Sequence, residues 1–182
     1  TVASFYLVNW QRVRRYEAQR RQINYLATHD TLTGLFSRAM IDHVVPHSIA
    51  LAERTGRAMA IMFVDLDLFK NINDSLGHES GDAVLREVAQ RLRRVVRSVD
   101  AVIRQGGDEF IIVLNDLGHP DDAARLARKL IQEVGQPFAL NNVDLSLSAS
   151  VGIAMYPNDG DTPSMLLRNA DSALYNAKNN GR

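Results

Sequence analysis

Residues 104–110 read RQGGDEF and run straight into IIVLND, so two glycines and two carboxylates interrupt a run of strand-forming residues. Gly106 and Gly107 permit a tight reversal with positive φ, which makes the stretch a β-hairpin with Asp108 and Glu109 at its apex. An ordinary hairpin has no need of two acids there, next to Arg104. Working outward, residues 101–105 and 109–114 supply the two hairpin strands. The run AMAIMFVDLDLF, from residue 58, reads as a strand buried on both faces. Residues 80–97 are an amphipathic helix with Val84, Leu85, Val88, Leu92 and Val95 or Val96 on its apolar face. Further helices are predicted over 38–54, where Pro46 should kink or divide the helix, over 120–134 and over 163–179. Asn141-Asn142 separates PFAL from VDLSLSASVGIAMY as a hairpin turn would. Helices and strands interleave around one sheet, the pattern of an α/β or α+β domain with helices covering it.

The chain has 182 residues, 46% of them apolar, enough for one domain with a core plus an extension. Lys and Arg total 21 and so do Asp and Glu, so no whole-chain field draws a nucleic acid polymer and any anion site must be local. The absence of cysteine excludes disulfides, thiolate zinc sites and cysteine nucleophiles.

Residues 2–28 contain neither Gly nor Pro and read as a helix. Val13, Tyr16, Arg20, Ile23 and Ala27 fall on a heptad seam that Arg20 interrupts. The segment is therefore either a two-stranded coiled coil or a solvated linker helix with one edge on the domain. Its start, VASFYLVNW before QRVRR, is shorter than the ~20 residues of a membrane span. It reads either as the tail of a cut span with basic residues on the cytoplasmic side, or as an exposed amphipathic helix start. In HDTLTGLFSR, Asp30, Thr31, Thr33 and Gly34 make a turn and Ser37 is placed to cap the next helix. The domain is expected to begin here, which divides the chain into a linker helix, 1–27, and a domain, 28–182.

Strand alternation puts Asp65 and Asp67 on the same side. Carboxylates at the end of an apolar strand are costly unless something compensates them. If the hairpin lies beside this strand, Asp65 and Asp108 form a two-carboxylate site suited to Mg²⁺, which takes few protein carboxylates and completes its shell with substrate phosphates. Each acid has a plainer reading, a helix cap for one and a turn acceptor for the other, but two unrelated caps need not converge. Backbone N–H groups around Leu68, Phe69 and Lys70 follow the strand and can face a phosphate at a helix start. Asn73 and Asp82 offer an amide and a carboxylate to a purine edge, although Asp82 also reads as a helix N-cap. Lys178 and Arg182, four apart, can meet one anion, or simply complement a helix C-terminus.

The blocks DTLTGL, VDLDLFKNINDSLGHESGD, RQGGDEF, SVGIAMYP and ADSALYNAKNNGR, in that order, resemble the GGDEF domains of bacterial diguanylate cyclases over about residues 28–182. The resemblance implies an α+β, cyclase-type palm with a central, mostly antiparallel five-stranded sheet surrounded by helices. It implies condensation of two GTP into cyclic di-GMP with release of two pyrophosphates. Asp65, the Leu66 carbonyl and Asp108 would hold two Mg²⁺ or Mn²⁺. Asp108 or Glu109 would take the hydroxyl proton, and Gly106 and Gly107 would leave room for the nucleotide. Asn73 and Asp82 would read guanine, and Lys70, Lys178 and Arg182 would neutralise phosphates. Each domain would hold one GTP, so a homodimer is needed for product.

Arg97 and Asp100, in RSVD five residues ahead of GGDEF, match the family's RxxD inhibitory site for product. Ser37 stands where the family commonly has Asn, and Gln105 where an aromatic or aliphatic residue is frequent. The resemblance further implies a cytoplasmic domain of a longer receptor, with an upstream sensor or membrane domain and a continuation either of a few residues or into a phosphodiesterase-type EAL domain. The competing function is a GTP- or cyclic di-GMP-binding regulatory module with little turnover.

Overall fold

In the computed structural model, residues 2–140 and 143–179 are described. Helix α1, Val2–Thr28, leads through the Asp30–Gly34 turn into the short strand β1, Phe36–Ser37, and a 3₁₀ turn at Arg38–Met40. There follow α2 (Ile41–Thr55), β2 (Ala58–Leu66), α3 (Phe69–Leu76) and α4 (His78–Val95). The hairpin β3 (Ala101–Gly106) and β4 (Glu109–Leu117) leads to α5 (Asp121–Val134), then to β5 (Phe138–Leu140) and β6 (Val143–Leu145). Strand β7 (Ala149–Tyr156) and helix α6 (Pro163–Asn179) complete the chain.

The main sheet has five strands in the order β1-β3-β4-β2-β7, antiparallel except for the parallel pair β1 and β3, as expected of the α+β palm. The central strand β2 is buried at every position after Ala58 because helices cover both faces, which is why it reads as one unbroken apolar run. On one face, Met62, Val64, Phe110 and Ile112 meet Val84, Leu85, Val88 and Leu92 of α4 and Leu130 of α5. On the other, Ile61, Phe63, Ile111 and Val113 meet Val45 and Ile49 of α2 and Leu166, Ala170 and Leu174 of α6. Gly152 of β7 lets α6 lie directly on the sheet: a Cβ there would come within 2.1 Å of Leu174 N and 2.2 Å of Ala170 O.

Four local expectations change. Helix α2 runs unbroken through Pro46, which lies one turn inside its start. There the proline removes a single i→i−4 bond, while Val45, Ile49 and Ala52 hold the helix on the sheet. Ser37 makes no side-chain cap; its hydroxyl donates instead to the Ala27 carbonyl at 3.3 Å. Strand β2 ends at Leu66, short of the predicted run to Phe69, so Asp67 lies in the turn that follows, where it still lines one cleft with Asp65. The run after residue 142 splits into β6, which pairs only with β5, and β7, which joins the sheet edge. The expected turn residues Asn141 and Asn142 lie outside the described residues, as does Arg182.

Candidate active site

The Gly107-Asp108 loop closes the hairpin with φ +53° at Gly107, the position where a two-residue turn needs glycine. Between Arg104 and Gly106 the register shifts, making Gln105 the extra residue of a bulge that re-aims the tip. Arg104 has a structural task here. Its guanidinium reaches both oxygens of Asp30, at 3.0 and 3.1 Å, and donates twice to the Gly107 carbonyl, at 3.2 and 2.9 Å. Asp30 in turn accepts from the Thr33 amide at 2.8 Å and hydroxyl at 2.6 Å. Burial raises the Asp30 pKa, but the Thr33 donors and Arg104 outweigh it and hold the carboxyl below its ordinary value. The turn at the domain entrance is thus tied to the hairpin tip.

Strands β2 and β4 are neighbours, so the hairpin does lie beside the strand carrying Asp65, opposite Glu109 in register. The Leu66 N–H donates to the Asp108 carbonyl at 3.3 Å. Asp65 and Asp108 line one cleft of about 250 Å³ together with Leu66, Asp67, Leu68, Phe69, Lys70, Asn71 and Lys178. Desolvation pushes the Asp108 pKa up, and the Asp65 charge adds to it against Lys178 and Arg104. Glu109 is raised by the same route, desolvation first and then Asp65 and Asp108. Two carboxylates lining one cleft, one of them held up by burial and by the charge of the other, fit a divalent cation. Among the described residues no three His, Cys, Asp or Glu side chains converge on one point. A two-carboxylate donor set of this kind matches Mg²⁺, which leaves several positions for water and phosphate.

Asp67 plays a different part. Buried, it accepts from Ser148 Oγ at 2.6 Å and Ser150 Oγ at 2.8 Å, and its own N–H donates to the Ser148 carbonyl at 2.9 Å. It fastens the end of β2 to the start of β7. The chain then turns through Leu68, a non-glycine residue at φ +58°, before α3 begins at Phe69. Such a conformation costs about 1–2 kcal/mol for a residue with a Cβ, and here it starts α3 so that Phe69 and Lys70 line the cleft.

Asn73 and Asp82 lie on the packed helices α3 and α4. Gly81 makes room for Asn73, whose Oδ1 would be 1.9 Å from a Cβ at that position. The N-cap reading of Asp82 fails, because α4 starts at His78 with Gly77 as its cap, leaving Asp82 half-buried inside the helix. Asn73 lies on α3, the helix that starts at the cleft lining, and Asp82 on α4, which packs against it.

Lys178, in the last turn of α6, places its Nζ 2.7 Å from Asp65 Oδ2. At the RxxD position, Asp100 accepts from the N–H of Arg97 at 2.9 Å and of Asn115 at 3.0 Å. Arg97 donates to the Asn115 carbonyl at 2.7 Å and borders a separate cleft with His29, Phe36, Arg93 and Val102. Sequence reasoning missed the Arg104–Asp30 tie, the Asp67–Ser148–Ser150 anchor and the Lys178–Asp65 pair, each of which joins residues distant in the chain.

The family model for the diguanylate cyclase GGDEF domain matches residues 27–182. The chain is similar to the bifunctional diguanylate cyclase/cyclic di-GMP phosphodiesterase MucR of Pseudomonas aeruginosa, 45% identical over 162 residues, which are 89% of this chain and 24% of that protein. It is similar also to the diguanylate cyclase TpbB of the same species, 39% identical over 177 residues, 97% of this chain and 40% of TpbB. Among solved structures, the coiled coil and GGDEF domain of DgcB from Caulobacter crescentus, in complex with c-di-GMP, matches with a TM-score of 0.89 at 26% identity. That match covers 100% of this chain and 96% of DgcB's. The chain spans less than half the length of these curated relatives. Ordered motifs, sheet topology and matched relatives agree, and the chain belongs to the GGDEF family of diguanylate cyclase domains.

Proposed function

We propose that this chain condenses two GTP molecules into cyclic di-GMP, each domain of a homodimer presenting one nucleotide. The observation that carries this reading is the cleft that Asp65 and Asp108 share with the turn at Leu68 to Lys70. Asp65, Asp108 and the Leu66 carbonyl would hold two Mg²⁺ or Mn²⁺. Bound there, the cations supply acidification of the attacking 3′-hydroxyl and neutralisation of charge at the α-phosphate.

The protein's own groups do the rest. The first amides of α3, with Lys70 and Lys178, receive the phosphates, and Arg182 is proposed to join them. Asn73 and Asp82 orient the guanine, Asp82 accepting from its N–H donors. Gly106 and Gly107 leave the tip open to the nucleotide. Asp108 is engaged with the cleft, whereas Glu109 lies at its more open edge, its carboxyl held up by partial desolvation and by its two acidic neighbours. Glu109 is therefore the better-placed proton acceptor from the 3′-hydroxyl.

Product feedback through Arg97 and Asp100 belongs to the same proposal. Asp100 already holds two backbone amides, so Arg97 is the group that meets the ligand and Asp100 the group that positions it. Helix α1 is proposed as the dimerising element of a longer signalling protein. No helix among the described residues is long and apolar enough to cross a membrane, and a cytoplasmic domain tethered through a preceding segment remains the proposed setting.

Incubating the purified chain with GTP and Mg²⁺ and separating nucleotides by chromatography tests the reading. Cyclic di-GMP should form at a rate per protomer that rises with protein concentration, and Asp108→Ala should abolish it while far-ultraviolet circular dichroism stays unchanged. Binding of GTP or cyclic di-GMP without turnover, even in a forced dimer, would instead establish a regulatory module.

A further inference from the structure

The ion pair between Lys178 and Asp65 is not a casual surface contact. Lys178 is carried by α6, whose backbone is pressed onto β7 at Gly152 and whose Leu166, Ala170 and Leu174 are buried. The two side chains are 32% and 11% exposed, with 2.7 Å between Nζ and Oδ2. A rigid helix therefore delivers an ammonium group to the carboxylate at the floor of the cleft, where it also offsets the charges of Asp108 and Glu109. Lys70 and the turn at Leu68 line the same cleft, so the flexible stem of Lys178 can exchange Asp65 for a phosphate on that turn without leaving it.

We propose that Lys178 is a built-in counter-cation that competes with divalent metal for Asp65, so that metal binds weakly until the triphosphate draws the ammonium away. An ammonium 2.7 Å from Oδ2 and a divalent cation on the same oxygen repel each other and claim the same lone pairs. Nucleotide and metal are then coupled through one lysine, and the coupling is reciprocal: whatever nucleotide does for metal affinity, metal does for nucleotide affinity. Lys178 is thus a positioning residue for loading as well as a phosphate contact. The inference rests on the reading of Asp65 and Asp108 as metal ligands.

The test is titration of the full chain with Mn²⁺ alone, free Mn²⁺ being read by electron paramagnetic resonance. A second arm measures binding of a GTP analogue with a methylene bridge between the α- and β-phosphorus atoms, with and without Mn²⁺. Lys178→Gln, or Lys178→Met if the glutamine variant melts early, should bind Mn²⁺ about tenfold or more tightly than wild type. Lys178→Arg, which keeps the charge, should stay near wild type. Adding Asp65→Asn to the glutamine variant should remove the gain. Equal Mn²⁺ affinity in wild type and Lys178→Gln, with analogue binding in wild type still dependent on both Mn²⁺ and Asp65, would overturn the competition while leaving the metal site standing. Mn²⁺ binding that ignores Asp65→Asn in every background would overturn the metal reading itself.

Discussion

Asp108 and Asp30 sit in opposite electrostatic circumstances, and their pH behaviour separates accordingly. Asp108 and Glu109 have raised pKa values, so as pH falls from neutrality the folded chain takes up protons before the unfolded chain does. Stability then increases on mild acidification and declines as pH rises through those raised values. Asp30 is depressed, so its contribution is fully present above the unfolded value of about 3.9 and is lost as pH falls through the lower folded one. Chemical denaturation across pH should show a mildly acidic maximum, and Asp108→Asn should flatten its neutral-side slope. The same variant should raise the melting midpoint of the chain alone, because it deletes a carboxylate that burial and Asp65 both disfavour. Its turnover should fall by more than the ~10–100-fold typical of losing an outer-shell partner of a metal. Glu109→Gln should instead retain Mn²⁺-dependent analogue binding and lose about 10²–10⁴-fold in turnover, the range of a general base. Equal loss of binding and rate in that variant would move the proton acceptor elsewhere.

The elements around the cleft are held by contacts that no single segment contains. Asp67 ties β2 to β7 through two serine hydroxyls, and replacing it with alanine leaves that of Ser150 unpaired in the core, while the exposed Ser148 can turn to water. A loss of about 2–4 kcal/mol in equilibrium unfolding is expected from two charge-assisted hydrogen bonds, with weakened analogue binding because the Leu68 turn loses its base. Gly152→Ala would drive a methyl group into the α6 backbone. Overpacking of this kind costs about 1–3 kcal/mol, and since α6 carries Lys178, turnover should fall along with the melting midpoint. Gly81→Ala separates stability from recognition more cleanly, because the obstruction is the tip of Asn73, a movable side chain. Its KM for GTP should rise about tenfold, in the range of a lost hydrogen bond to substrate, with a smaller effect on kcat.

For the whole molecule, α1 carries more exposed large hydrophobic side chains than any other element among the described residues. Trp10, Tyr16, Ile23, Tyr25 and Leu26 are all exposed, and Tyr16 and Ile23 lie on the seam that the heptad pattern marks out. The side chain of Val13 on that seam lies outside the described residues. Tyr25 stacks on His29 at a centroid distance of 4.1 Å, and His29 packs against Phe36, so the helix joins the domain through its last turn. From there Asp30 and Arg104 lead to the Gly107 carbonyl, a continuous route from helix to hairpin tip. Deleting residues 1–27 should lower specific activity at dilute protein and leave it closer to full strength at high concentration, as a concentration series of turnover measurements would show.

The sequence by itself determined the element types, the fold class and the identity of the cleft acids. Apolar periodicity sets which faces must be buried, and five ordered motifs leave one family. It did not determine which acids act together: Asp65 and Asp67 look equivalent by alternation and both line the cleft, yet Asp67 is bound by the Ser148 and Ser150 hydroxyls while Asp65 pairs with Lys178. Asp82 looked equally like a cap until Gly77 took that place. Only the tertiary structure paired Arg104 with Asp30 and Lys178 with Asp65, because the partners lie 74 residues apart in the first case and on different layers in the second. Local pattern dictates how a segment buries its apolar side, but a charge finds its partner only where packed elements bring distant chain together.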